Sequence, residues 1–217
     1  MRQHAAARPF TLVELIMVMG VMILLAAIAI PAYSSLFSGR KTTLAANQLN
    51  GAVMEARAHA VSSKNYTALI FVKDTTLSGY TSIRMGEVYH NPDTENTAYV
   101  WRRWVPGVPF MLLPENTMVP ATDNDLGTTT GGSKGKVGAG TLTKVSNLGN
   151  SGLPVSTTSA PAIIFKPNGQ LAGTAEKNVV VRFVEANRYE ANAGQTPKLP
   201  LNINWLTCKT KFLDPVQ

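Results

Sequence analysis

The stretch RPFTLVELIMVMGVMILLAAIAIP, residues 8–31, limits what this chain can be more than any other part of it. Residues 15–39 carry no charge, and a helix over those 25 residues would span about 37 Å at a rise of about 1.5 Å each. The hydrocarbon core of a bilayer is about 30 Å thick, so the segment is long enough to cross it. Glu14 nevertheless stands at its front end. A carboxylate at the bilayer centre costs roughly 2.5–3.5 kcal/mol even on lenient insertion scales. Any account of the segment has to give that carboxylate something to do.

Three readings compete. As a secretory signal peptide it has Arg2 and Arg8 before an apolar run, with Ala27-Ile28-Ala29 as a small-x-small cleavage site. As a plain membrane anchor it is long enough, although Arg40 and Lys41 balance Arg2 and Arg8 and leave the orientation open. Neither explains Glu14. The third reading does: FTLVEL, residues 10–15, followed by an apolar helix, resembles the N-terminus of the type IV prepilin and pseudopilin family.

That resemblance implies a leader peptide over residues 1–9, cut between Pro9 and Phe10 by a prepilin peptidase, and methylation of the new Phe10 amine. It implies that Glu14, fifth from Phe10, is an assembly residue. In a helical filament the cationic amine of one subunit can pair with the carboxylate of the next, so two groups too polar for an apolar core neutralise each other. Pro31 falls where the family commonly has a helix-bending proline, whereas Pro9 replaces the glycine that normally precedes the cut.

Beyond the apolar run, Ala45, Leu49, Val53, Ala56 and Ala60 recur every three to four residues, the spacing of one helix face. Lys41, Asn47, Gln48, Asn50, Glu55 and Arg57 fall elsewhere, and SSKN at 62–65 ends the pattern. The chain therefore reads as a membrane and assembly half over residues 10–37 and an amphipathic half over 38–64, one helix kinked at Gly20 or Pro31.

Residues 65–217 read as a β domain. The runs 66–72, 80–85, 98–105, 109–113, 162–167, 178–186 and 201–212 are rich in β-branched and aromatic residues and bounded by turn formers. Asn168-Gly169 suits a type I′ hairpin, and alternation in NINW puts Ile203 and Trp205 on one side. Residues 121–161, dominated by Gly, Ser, Thr and Asn, read as a surface excursion with little core and one short hairpin around 137–145.

MEARAHAV (54–61), IIFKPNGQL (163–171) and LTCKTKF (206–212) resemble the GspH/FimT-type minor pseudopilins. The resemblance implies an α+β fold, a long N-terminal helix packed on a C-terminal antiparallel β domain of two sheets. It implies a structural subunit of a type II secretion pseudopilus or type IV pilus, with other pilins as partners. Before assembly such a subunit sits in the bacterial inner membrane as a single-pass protein, its β domain on the periplasmic or extracellular side. The alternatives are a DNA-binding minor pilin active in DNA uptake and an unprocessed bitopic membrane protein.

Chemistry is sparse. His4, His59 and His90 are scattered, Cys208 is the only cysteine, and no metal-ligand spacing or nucleophile elbow occurs, so neither an enzyme nor a cofactor is expected. GTTTGGSKGK (127–136) lacks the ending of a phosphate loop. The formal charge of +7 is spread along the chain. Two basic places could contact phosphate: Lys209 and Lys211, expected on one face of the last strand, and Arg102 and Arg103 within WRRW. Strict alternation there pairs Trp101 with Arg103 and Arg102 with Trp104, which allows either base stacking or one buried indole and one covered by an arginine. A solvated strand face is the competing reading for the lysines.

Overall fold

The computed structural model describes residues 11–73, 76–91, 99–121, 126–129, 137–153, 159–172 and 178–213. Helix α1, Leu12–Ser63, is continuous in its hydrogen bonding. The chain divides into two compact units, Met1–Arg40 and Lys41–Gln217, so the second contains the latter part of α1 together with the β domain. Pro31 falls inside the helical span, but its side chain lies outside the described residues, and the expected kink stays an expectation.

Within the second unit, α1 presents the stripe its spacing predicts. Ala45, Ala46, Leu49, Val53, Ala56 and Ala60 are fully buried. They pack with Leu69, Phe71, Ile83, Met85, Phe165, Val181 and Phe183 in one core cluster. Alanines on the helix let its backbone approach the sheet closely, and bulky strand residues fill the space this leaves. The helix stops at Ser63, followed by Lys64 with φ 58, a left-handed residue that turns the chain into the first strand.

The strands follow in chain order: β1 Tyr66–Lys73, β2 Gly79–His90, β3 Tyr99–Trp104, β4 Met111–Leu112, β5 Thr117–Pro120, β6 Leu126–Thr129 and β7 Val137–Thr141. After these come β8 Lys144–Ser146, β9 Ser159–Phe165, β10 Leu171–Ala172, β11 Val179–Glu185, a short helix α2 Ala186–Ala191, β12 Leu199–Ile203 and β13 Thr210–Phe212. The fold is thus α+β, a long helix with a predominantly antiparallel β domain.

The strands form one continuous hydrogen-bonded network with two parts, a first and a second sheet, and the first closes on itself. β1 pairs with β2 and β9, β9 with β8, β8 with β3, and β3 with β2. The β3–β8 pairing is parallel, a departure from the all-antiparallel expectation. All five strands of this circuit feed a second core cluster on the face turned away from α1, including Ala68, Ile70, Val88, Tyr99, Val145, Ala160, Ala162 and Ile164. Its many alanines suit the narrow interior of a small strand ring. β5 bonds to both β2 and β11 and so joins this ring to the second sheet, in which β7, β6, β11, β12 and β13 are neighbours in that order.

Five sequence expectations need correction. Part of the polar stretch 121–161 is structural: Leu142, Val145 and Leu148 are buried, and β8 closes the ring. Three apolar residues among many Gly, Ser and Thr suffice: Leu142 joins the cluster under α1, whereas Val145 and Leu148 join the ring cluster. The expected hairpin at 137–145 is replaced by β7 pairing back to β6. The 166–170 turn is not type I′. Gly169 alone has positive φ, 81, and its N–H donates to the Lys166 carbonyl at 2.8 Å. Pro167 is locked at negative φ, which excludes the primed turn and selects a three-residue loop with glycine in the left-handed position.

The last two corrections concern strands. The run 201–212 is two strands, not one, because the chain turns at 204–208 with Cys208 at φ 55. Asn204 Oδ1 accepts from the Leu206 and Thr207 N–H groups, an asparagine turn that interrupts the ladder. Trp205 therefore leaves the strand, although it still packs beside Ile203. In WRRW the alternation breaks, since Glu87 faces Arg103 while Val88 faces Trp101. Arg102 is the extra residue of a β-bulge, and Trp101 and Trp104 consequently share one face, their ring centroids 5.5 Å apart.

Candidate assembly surface

The first part of α1 is the surface that sets this chain apart from a soluble domain. Leu12–Ala29 has a mean hydropathy of 2.7 and none of it is buried. Leu12 is 76% exposed, Met17 72% and Leu24 67%, so apolar side chains project on every side of the helix. Exposed apolar area of this size needs lipid or another apolar surface against it.

Glu14 sits in the first turn, and its carboxylate already has partners in its own chain. The Thr11 N–H and the Thr11 hydroxyl both donate to Glu14 Oε2 at 3.0 Å, and the Glu14 N–H donates to Thr11 Oγ1 at 3.3 Å. This is a reciprocal capping box: the side chains of the N-cap residue and of the residue three later each satisfy the other's backbone donor. The Leu15 N–H then closes the first helical turn on the Thr11 carbonyl at 3.2 Å. Thr-x-x-Glu is a recognised start signal, so this role is visible in the sequence at Thr11-Leu12-Val13-Glu14. Among the described residues, Glu14 Oε1 has no partner, which leaves half of the carboxylate for another molecule. Pro9 and Phe10 lie outside the described residues.

The four basic candidates do not come together. Arg102 and Arg103 are on β3 in the strand ring, whereas Lys211 is on β13 at the far edge of the second sheet. Lys209 precedes β13 rather than sharing its face. Arg103 is occupied, its Nε and Nη2 donating to the two oxygens of Glu87 at 2.9 and 3.0 Å. Glu87 is 2% exposed, and the Arg103 hydrogen bonds, aided by the nearby charges, hold its carboxyl below the usual range despite burial. His59 Nε2 on α1 lies 3.9 Å from Glu87 Oε1, and His59 Nδ1 is 3.1 Å from Thr67 Oγ1.

A hydroxyl, an imidazole and a carboxylate in line resemble a nucleophilic triad, but Thr67 is fully buried. Its hydroxyl can reach no substrate, and the group serves to fasten the end of α1 to β1 and β2. The cation over Trp104 is Arg84, at 4.3 Å from the ring centroid and 4.6 Å from that of Phe110, and not an arginine of WRRW. Cys208 is buried, donates to the Gly169 carbonyl at 3.2 Å, and has its thiol pKa raised by burial, the character of an inert core thiol. Among the described residues no group of His, Cys, Asp and Glu is arranged to hold a metal ion.

No family model and no curated protein matches this chain. Among solved structures, the chain is similar to the type IV minor pilin FimU of Pseudomonas aeruginosa strain PAO1, at 11% identity and a TM-score of 0.42, over 84% of this chain and 97% of that one. It is likewise similar to the minor pseudopilin EpsH from the type 2 secretion system of Vibrio cholerae, at 12% identity and a TM-score of 0.43, over 82% of this chain and 98% of that one.

Proposed function

We propose that this chain is a minor pilin or pseudopilin, a non-enzymatic subunit of a type IV pilus or type II secretion pseudopilus. It waits in the bacterial inner membrane by one span, with the β domain on the periplasmic or extracellular side. A prepilin peptidase removes residues 1–9, the Phe10 amine is methylated, and α1 enters a filament beside other pilins. The observation that carries this reading is a single carboxylate, half satisfied, in the first turn of an apolar helix exposed on all sides, while the same helix supplies core to a β domain. In lipid the open oxygen of Glu14 is costly, and docking against a neighbouring Phe10 amine removes that cost.

Intact-mass analysis of the protein from native membranes tests the processing. The expected chain starts at Phe10 and carries one methyl group. A full-length chain would favour a bitopic membrane protein, and a start near Ile30 a signal peptide. Glu14→Ala and Glu14→Gln should both insert into the membrane normally and both lose filament incorporation. The glutamine variant separates two roles, because it can still complete the capping box while carrying no charge. Normal incorporation of Glu14→Gln would defeat the charge-pairing role.

A further inference from the structure

Arg84 stands where β2 changes partner. Gly86 faces Trp104 at the end of β3, and Ile83 faces Met111 in β4. The residue that ends β3, Trp104, and the residue that precedes β4, Phe110, therefore both flank Arg84. Its guanidinium carbon lies 4.3 Å from the centroid of the Trp104 ring and 4.6 Å from that of Phe110. Ile83 and Met85 belong to the core under α1, so Arg84 between them points to the opposite face, beside its cross-strand neighbour Ile70 of the ring cluster.

The two rings hold the cation without giving it a counter-charge. Among the described residues the guanidinium makes no ion pair and no hydrogen bond. Its Nε is sealed from solvent, whereas the two terminal nitrogens are open and have no acceptor either. Burial alone lowers its pKa. A partly desolvated arginine held by aromatic rings is a preformed fork for a planar anion, and much of the entropy cost of fixing the side chain is already met.

The surroundings decide what kind of anion. Arg103, the nearby cation of β3, is paired with Glu87 on the other face of the sheet. Leu112 shares the Arg84 face, because it stands opposite Ser82, and it is 70% exposed. A polyanionic strand or an anionic lipid surface is gripped by several cations together. One arginine amid Trp104, Phe110 and an exposed leucine has instead the composition of the centre of a protein interface.

We propose that this face of β2 and β4 is a docking site for a partner protein that presents a glutamate or aspartate among apolar side chains. The carboxylate oxygens accept from the two terminal nitrogens of Arg84, and the apolar neighbours cover Phe110 and Leu112. The site rests on this geometry alone and not on the filament reading.

Two measurements test it. The first uses the full chain in an uncharged detergent with 15N-labelled tryptophan, the Trp104 indole signal being assigned through Trp104→Phe. It is titrated with the capped tripeptide acetyl-Leu-Glu-Leu-amide and, in parallel, with acetyl-Leu-Gln-Leu-amide. The glutamate peptide should shift the Trp104 signal saturably and bind about fivefold or more tighter than its neutral twin. Arg84→Met should abolish that preference, and Arg84→Lys, which keeps the charge and loses the fork, should cut it to about twofold or less. If Arg84→Met also displaces the Trp205 signal, which reports folding under the helix, Arg84→Lys decides. Equal binding of the two peptides, no saturable shift, or a preference that survives in the deciding variant would overturn the proposal. So would inorganic phosphate binding tighter than the glutamate peptide. The second places a photo-crosslinking residue at Leu112 in native membranes. Adducts should fall on a protein segment beside an Asp or Glu and be lost with Arg84→Lys. Adducts only to lipid, or to protein sites without an acidic residue, would overturn it.

Discussion

Leu49→Ala is the sharpest test of whether α1 and the β domain are one cooperative body. Leu49 is fully buried among the residues that join the helix to both sheets. Leucine-to-alanine changes in close-packed cores cost about 2–5 kcal/mol, from lost burial plus the residual cavity. With helix and strands packed on it from both sides the site can relax little, so about 3 kcal/mol is expected. Urea m-values of about 2 kcal/mol per molar translate this into a midpoint lowered by about 1.5 M. Leu44, 51% exposed on the same helix, is the control, and its alanine variant should stay within about 0.5 kcal/mol. The protein has its own reporters. Trp101 and Trp104 pack on the cluster inside the strand ring, and Trp205 packs on the cluster under the helix. In a Trp205→Phe background the ring indoles alone report by fluorescence. Their transition should shift with Leu49→Ala as far as helicity does. If Leu49→Ala matches Leu44→Ala, or the ring indoles do not follow, the helix is a passenger and does not form one cooperative body with the β domain.

Two further outcomes follow from local geometry. An added Cβ at Gly79 would lie 2.7 Å from the Val119 carbonyl oxygen, which cannot move without breaking the β2–β5 pairing, so Gly79→Ala should cost about 1–3 kcal/mol in the same urea assay. Gly51→Ala, which meets nothing within 4 Å on an exposed helix face, should stabilise by up to about 1 kcal/mol, and the reverse order would refute the packing argument. Because the Arg103 hydrogen bonds hold the Glu87 pKa below its unfolded value, their stabilisation is complete above the usual carboxylate range and is lost as pH falls through the folded value. Arg103→Gln should therefore lower the urea midpoint at neutral pH, with the difference from the parent shrinking in acid; a constant difference would mean that Glu87 does not titrate as described.

Much of this arrangement is legible in the residues, for identifiable reasons. The helix stripe from Ala45 to Ala60 and the cores of β1, β9 and β11 are periodic or continuously β-branched, signals that local physics enforces. β5 is not legible: Thr117–Pro120 is short, ends in proline and owes its place to pairing with β2 and β11. The ring is also hidden, since β8 has three residues and its parallel partner β3 lies far away in sequence. The bulge at Arg102 inverts the WRRW pattern because one extra residue moves every later side chain to the opposite face. Of the assembly surface, the span and Glu14 stand out at once, and so does the Thr-x-x-Glu cap once the helix start is fixed. The Glu87–Arg103–His59 cluster does not, because it unites three elements that only the fold brings together.

The junction at Lys64 and Asn65 has a mechanical meaning. Only these two residues separate α1 from β1, and β1 is bonded along both edges, to β2 over its whole length and to β9 from Thr67 to Ile70. Tension that reaches the end of the helix passes into a strand bonded by two ladders, where many bonds must fail together when the load runs along the strand. Cross-ties share the load: Arg57 Nη1 donates to the Thr207 carbonyl at 2.7 Å, and the Thr210 hydroxyl donates to Asn50 Oδ1 at 2.8 Å. Forced unfolding is governed by the height of the unfolding barrier, not by equilibrium stability. A domain of modest thermodynamic stability that is loaded in this direction can therefore bear pulling on its spine far longer than its melting temperature would suggest.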